Sequence, residues 1–235
     1  MANYKKSKVQ SKGSLKPLVL ITLVIVVVFV TLFMISQKNK KENQQPVSFQ
    51  EQLSLVNQPV MGKDDAPVTL IEFGDYKCPS CKAWGEQVYP QLKKDYIDTG
   101  KVKFAYINVL FHGTESMLGA LAGESVFTQN PKAFWPFHKA LFDAQPKENH
   151  DGLWITEAKV IEIAKASAPQ IDLVKLKEDL TNQTALPQVK TDNDLVGKYG
   201  IQQTPTIMIN GEILKDPFDV NKMKSVLEKY LGVTK

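Results

Sequence analysis

Residues 68–81 read Val68-Thr69-Leu70-Ile71-Glu72-Phe73-Gly74-Asp75-Tyr76-Lys77-Cys78-Pro79-Ser80-Cys81. The first six form a nearly continuous β-favouring run, the pattern of a central strand buried on both faces. Gly74-Asp75 ends the run, and a helix begins at the cysteines. Pro79 suits the first helical position, where an N–H would have no partner anyway, and this leaves Cys78 at the N-cap. There its sulfur faces unpaired backbone N–H groups and the positive end of the helix dipole, both of which favour thiolate over thiol. Cys81 lies three residues on, on the same helical face and within reach of Cys78. It is expected to be the more buried and less reactive of the two. Lys77 is expected to add a little support to the Cys78 thiolate.

These are the only two cysteines of the 235 residues. A zinc site needs about four ligands, and the chain offers only three scattered His beyond this pair, with no second Cys-x-x-Cys. A structural disulfide closing so short a loop would contribute little entropic stability. Redox chemistry is therefore favoured over metal binding or stapling. Stabilising the Cys78 thiolate stabilises the reduced form, which makes the disulfide a better oxidant and Cys78 a good leaving group.

Outward from this stretch, the helix is expected to run toward Tyr96 with a kink at Pro90. Gly100 turns the chain into a second strand at residues 102–109, completing a βαβ unit. Residues 114–199 carry apolar stripes at helical spacing, such as Phe134/Phe137/Leu141 and Leu173/Leu176/Leu180, and read as consecutive helices. A strand follows at residues 204–209. Asn210-Gly211 then signals a hairpin into residues 212–214, and an amphipathic helix at 219–231 closes the chain. The order is βαβ, helical block, ββα. Trp84, Phe134, Trp135, Phe137, Phe142 and Trp154 are read mainly as core. His112, His138 and His150 have no paired spacing and receive no role. Asn182-Gln183-Thr184 is a glycosylation sequon by pattern only.

The N-terminus differs in kind. Residues 18–35, LVLITLVIVVVFVTLFMI, are uncharged; as a helix they would span ~27 Å, enough for a bilayer core. Lys5, Lys6, Lys8, Lys12 and Lys16 precede them, and Lys38, Lys40 and Lys41 follow. This asymmetry predicts a cytoplasmic N-terminus and an exported body. Met34-Ile35-Ser36-Gln37-Lys38 lacks a small-x-small cleavage site, so the segment is expected to remain as a single-pass anchor. Residues 36–58 read as a polar tether with a short strand at 47–49. All 29 basic residues are Lys, which argues against nucleic-acid recognition, where the Arg fork dominates. Eight of these Lys, and no acid, fall within residues 1–41, so the body is mildly acidic despite the net charge of +4.

Two positions outside the cysteine pair are informative. Glu72 shares a strand face with Val68 and Leu70 and is expected to point inward beneath the helix. A buried carboxylate there can accept the proton of Cys81, with burial raising its pKa into a useful range; the bland reading is a strand-end Glu reaching solvent. Thr204-Pro205 leads directly into a buried-looking strand, an unusual place for Pro, although by frequency alone the bond is trans.

Together the chain resembles the DsbA family of thiol–disulfide oxidoreductases, and within it the membrane-anchored BdbD type of Gram-positive bacteria. The likeness covers residues 59–231. It rests on Ile71-Glu72-Phe73-Gly74-Asp75 before Cys78-Pro79-Ser80-Cys81, on Phe134-Trp135-Pro136-Phe137-His138, and on Gly200-Ile201-Gln202-Gln203-Thr204-Pro205-Thr206. The resemblance implies an α/β thioredoxin fold with an inserted helical domain. The expected layout is a basic cytoplasmic tail (1–17), anchor (18–35), linker (36–58), first thioredoxin part (59–113), helical insertion (114–186) and second thioredoxin part (187–235). It implies that Pro205 is cis and lies against the cysteines, that Thr204 pairs its backbone with a substrate peptide, and that Glu72 is the proton acceptor. It implies reduced exported proteins as substrates and a quinone-linked DsbB/BdbC-type membrane partner for reoxidation. The chemistry needs no cofactor beyond the disulfide. Calcium-binding members suggest a structural calcium site from Gln58, Glu124, Asp192 and Asn193. The most oxidising members carry His where this chain has Ser80, so Cys78 is expected to be less acidic than theirs. The expected function is a dithiol oxidase acting as a monomer. A reductase of the cytochrome-maturation type and a peptide-binding chaperone with a vestigial Cys-x-x-Cys are the alternatives.

Overall fold

A computed structural model describes residues 25–32 and 53–233. The chain divides into two units, Met1–Gln45 and Pro46–Lys235. In the first, residues 25–32 are helical and exposed. The rest of the expected anchor, the basic tail and the strand expected at 47–49 lie outside the described residues. No helix among the described residues is long and apolar enough to cross a membrane.

The second unit is built on a five-stranded sheet of order β1-β3-β2-β4-β5. Its strands are β1 (Val60–Met61), β2 (Val68–Gly74), β3 (Val102–Asn108), β4 (Thr206–Ile209) and β5 (Glu212–Ile213). β2 runs parallel to β3 and antiparallel to β4; the two outer pairings are antiparallel. All seven residues of β2 are buried, because both faces are covered. Alternate side chains point to opposite faces. Val68 and Leu70 join Trp84, Leu92, Phe104, Met223 and Leu227 on one face. Ile71 and Phe73 join Ile107, Tyr199 and Met208 on the other. Glu72 has the parity of Val68 and Leu70, and pairs in register with Tyr106 on one side and Ile207 on the other.

Helix α1 (Pro79–Gln87) and the short α2 (Tyr89–Leu92) follow β2, and a π-type turn, Lys93–Ile97, leads to β3. The single kinked helix expected toward Tyr96 is instead interrupted at Val88, where Pro90 brings no N–H to the helical ladder. Five helices separate β3 from β4: α3 (Thr114–Gln129), α4 (Pro131–Asp143), α5 (Glu157–Ser167), α6 (Leu173–Asn182) and α7 (Leu186–Lys198). The side chains of Asn130, Thr156 and Asp172 cap α4, α5 and α6. The β4–β5 connection is the Asn210-Gly211 turn, with φ of 45° and 85°. Two left-handed residues in succession match the twist of the flanking strands. Helix α8 (Val220–Tyr230), capped by Asp219, closes the unit. The fold is a thioredoxin-like α/β sandwich carrying a helical insertion.

The end of β2 approaches β3 so closely that residue 74 has no room for a side chain. A Cβ there would lie 2.5 Å from the Tyr106 ring and 3.0 Å from Glu72 Oε1. Gly74→Ala is therefore expected to lower unfolding free energy by about 1–3 kcal/mol through overpacking, read as a shifted urea midpoint with an unchanged slope.

Candidate active site

Cys78 is the N-cap of α1, in extended conformation (φ −74°, ψ 120°), with Pro79 in the first turn. Its side chain caps no amide in the thiol form. Both cysteines are free thiols and buried, Cys78 at 6% exposure and Cys81 at 1%. Their acidities are driven apart. The Cys78 thiol is lowered to about 5, first by a hydrogen bond from Cys81, then by the Thr204 side chain and the Cys81 and Ser80 amides, against opposing burial. Cys78 Sγ lies 3.4 Å from the Thr204 carbonyl, a contact open only to the thiol, since a thiolate has no proton to donate. Cys81 is pushed well above the ordinary thiol range by burial, by its hydrogen bond to Cys78 and by the negative charges of Glu72 and Cys78. The backbone N–H of Asp75, donated to Cys81 Sγ at 3.4 Å, opposes this shift.

Glu72 is 3% exposed. Burial, followed by the charge of Cys78, holds its carboxyl well above the usual carboxylate range. Its Oε1 has no hydrogen-bond partner. The Thr204–Pro205 peptide bond is cis, and Pro205 is buried while Thr204 is half-buried beside Cys78. The structure thus brings Glu72, Cys78, Cys81, Thr204 and Pro205 to one place. Lys77 differs from expectation: its ammonium pairs with Glu115 at 2.6 Å and donates to the Gly152 carbonyl. It ties the insertion to the loop before the cysteines and is committed away from the thiolate.

Asp75, which the sequence marks as a strand breaker and part of the family motif but gives no site role, is a hub of hydrogen bonds. Its buried carboxylate accepts from Lys77 N at 2.8 Å, Phe111 N at 3.1 Å, His112 N at 3.3 Å and Ser116 Oγ at 2.9 Å. It also meets His112 Nδ1 at 2.7 Å. It fixes the loop whose N–H reaches Cys81. His138, likewise without a predicted role, meets the Tyr76 hydroxyl at 2.9 Å; burial lowers its pKa to about 3, so it stays neutral.

A second polar cluster lies at the end of β3. Gln58 Nε2 donates to Asp192 Oδ1 at 2.8 Å. Asn108 donates from N and Nδ2 to Asp192 Oδ2 at 3.0 and 2.7 Å, and from Nδ2 to Glu124 Oε1 at 2.9 Å. Glu124 is raised to about 8 by burial and then by the Asp192 charge; Asp192 is raised by burial. Gln58 Oε1, Asn108 Oδ1 and Glu124 Oε2 are buried without partners. Asn193 is exposed at the next helical position, and the fourth residue of the network is Asn108. Only two of the four are carboxylates, and no group of three or more His, Cys, Asp or Glu poised for a metal occurs among the described residues.

Residues 54–229 match the thioredoxin family model. The chain is 45% identical over 193 residues to disulfide bond formation protein D of Bacillus subtilis, covering 82% of this chain and 86% of that one. It is 36% identical over 211 residues to the probable disulfide bond formation protein D of Bacillus anthracis, covering 90% and 92%. The crystal structure of oxidised BdbD from Bacillus subtilis superposes with a TM-score of 0.75, covering 80% of this chain and 100% of that one at 45% identity. Chlamydia trachomatis DsbA shares the fold, with a TM-score of 0.68 at 20% identity over 80% of this chain and 99% of that one.

The split acidities fix a pH dependence. Cys78 is lowered to about 5, below the ordinary thiol range, so the reduced protein gains stability above pH 5 and loses it as pH falls through 5. The reduction potential should fall by about 59 mV per pH unit below pH 5 and by about 30 mV above it. The break coincides with appearance of thiolate absorbance at 240 nm. A single slope through pH 5 would show that Cys78 is not the acidic thiol.

Proposed function

The chain belongs to the DsbA-like thioredoxin family, and from that premise we propose that it donates its Cys78–Cys81 disulfide to exported proteins. It is a thiol–disulfide oxidoreductase. The observation that carries the oxidising direction is the acidic Cys78 beside a strongly protonated Cys81, because stabilising the reduced form drives electrons toward the protein.

A substrate thiolate attacks Cys78 Sγ, the Cys78–Cys81 bond breaks, and a mixed disulfide forms. Cys81 departs as a thiolate in a buried site and takes the proton of neutral Glu72. A second substrate thiolate then attacks the substrate sulfur of the mixed disulfide. Cys78 leaves as the stabilised thiolate, and the substrate carries the new disulfide. Two substrate thiols have been oxidised and the protein holds both electrons. On reoxidation the order reverses, and Glu72 accepts the Cys81 proton as Cys81 attacks. The substrate backbone lies along Thr204 as an added strand, with Pro205 closing the other side of Cys78.

Residues 18–35 anchor the protein with its N-terminus in the cytoplasm and the oxidoreductase unit outside. A quinone-linked DsbB/BdbC-type membrane protein recovers the disulfide. A shared membrane raises the local concentration of the two.

Gln58, Asn108, Glu124 and Asp192 suit a hard cation such as calcium: they present oxygen donors, and three of those oxygens are buried without partners. Bound there, the ion would neutralise the paired carboxylates and hold α3 and α7 to the end of β3. It takes no part in disulfide exchange.

Three measurements test this reading. A reduction potential near −120 mV supports an oxidase, whereas one near −270 mV supports a reductase. Glu72→Gln is expected to slow the departure of Cys81 as a mixed disulfide forms, and the attack of Cys81 on reoxidation, by roughly 10²-fold; unchanged rates at every pH would remove Glu72 from the mechanism. Glu124 is raised to about 8, above the ordinary carboxylate range, so its contribution to stability is lost as pH rises through 8. Calcium must displace that proton and should raise Tm more at pH 8 than at pH 6. Glu124→Gln should abolish the shift.

A further inference from the structure

A cavity of about 510 Å3 opens between α1 and α4, and neither Cys78 nor Thr204 lines it. Trp84, Phe104, Trp135 and Phe142 line it, together with the buried Glu72 and Cys81. This volume falls within the range of small-molecule sites, which typically join apolar walls to a few placed polar groups. Glu72 is that group. The residue is almost fully buried, its Oε1 has no hydrogen-bond partner, and it borders the cavity. A buried polar group without a partner is costly, and a protonated carboxyl has one O–H to give.

The mouth does not recruit charge. Lys82 donates to the Asp143 and Gln145 carbonyls, Lys93 pairs with Asp98, and Lys139 pairs with Asp143. Each lysine of the lining already has partners, and the walls they flank are mainly aromatic, which suits a ligand without charge.

We infer that this cavity binds a neutral, flat aromatic molecule whose carbonyl oxygen accepts a hydrogen bond from Glu72. The rings lie between Trp135 and Phe142, and the carbonyl reaches the floor beside Cys81. Such a ligand occupies the acid that exchanges a proton with Cys81, so it slows the departure of Cys81 as a mixed disulfide forms, and its attack on reoxidation, without touching Cys78. That consequence rests on the role proposed for Glu72; binding does not.

Gly85 supplies the test. It lines the mouth and is exposed, and a Cβ placed there meets nothing within 4 Å. A larger side chain can therefore plug the cavity without displacing a neighbour. The oxidised protein is titrated with 2-acetylnaphthalene, with quenching of Trp84 and Trp135 as the readout, and in parallel with 2-ethylnaphthalene, which lacks the acceptor. The expected result is saturable quenching by the ketone, roughly tenfold weaker binding of the hydrocarbon, and loss of binding in Gly85→Phe. Gly85→Leu should give an intermediate loss. Both variants should keep Cys78 titrating near 5, which reports an intact helix N-terminus. Absence of saturable binding, equal affinity for the two compounds, or binding that survives in Gly85→Phe would overturn the proposal. Because the oxidised protein is used without substrate, these outcomes stand apart from whether the protein is an oxidase.

Discussion

A thiolate at the first turn of a helix is stabilised by amide N–H groups that have no other partner, and the rest of this structure serves to place one sulfur there. β2 is buried along its whole length, so its end is a rigid point in the core. Three residues then separate that point from Cys78. Asp75 pins them through its carboxylate, Tyr76 packs among Tyr106, His138 and Phe142, and Lys77 is tied to Glu115. With no slack in this loop, the N-terminus of α1 is delivered in one position beside cis-Pro205. The low pKa of Cys78 is a consequence of this fixed geometry.

The same economy joins the two parts of the unit. The helical insertion contacts the sheet through buried polar groups as well as apolar packing. Asp75 accepts hydrogen bonds from Phe111, His112 and Ser116, where the chain enters α3. Asp192 and Glu124, on α7 and α3, converge on Asn108 at the end of β3. Buried polar contacts of this kind demand directional partners, so they set the register of the insertion against the sheet. The pull on each carboxylate differs. Asp75 takes hydrogen bonds from three N–H donors and a hydroxyl, whereas Glu124 faces another carboxylate across a shared amide. The first arrangement holds a loop, while the second leaves unmet oxygens that a cation could satisfy.

Much of this was legible because it is local. The β-run, the Pro after the first cysteine and Asn-Gly between apolar runs each act within a few residues. Period-two alternation sufficed to turn Glu72 inward, since its neighbours Val68 and Leu70 mark the face. The break at Val88 was less readable: Pro90 signalled a disturbance but not whether the chain would kink or interrupt. Apart from the Lys77 N–H two positions on, the partners of Asp75 lie 36 to 41 positions away, and nothing in its local sequence separates it from an ordinary turn Asp. Asn108 likewise ends a strand without distinction until α3 and α7 meet it. Successive residues on a helix point about 100° apart, so Asp192 and Asn193 cannot both face the same buried cluster. That constraint was available from the sequence and favoured one of the two once the buried face of α7 was known. The cysteine-facing lysine illustrates the opposite problem. Adjacency in sequence suggested an influence on Cys78, but a flexible side chain goes to its strongest partner, here Glu115.

Ser80 shows where the oxidising tendency of the site resides. The resemblance placed weight on this position, because the most oxidising relatives carry His between the cysteines. Ser80 is exposed, and its contribution to Cys78 is through its backbone N–H. Cys78 still stands near 5, four units below an ordinary thiol. The groups responsible are the Cys81 thiol, the Thr204 side chain and two amides of the first turn, all held by the fold. A cation at residue 80 would add Coulombic attraction, but at an exposed position salt and water weaken it. The fixed donors are sheltered from both. Substitution at residue 80 therefore tunes an acidity that the helix terminus and the Thr204–Pro205 loop establish, and it is the geometry of those two elements that makes this disulfide an oxidant.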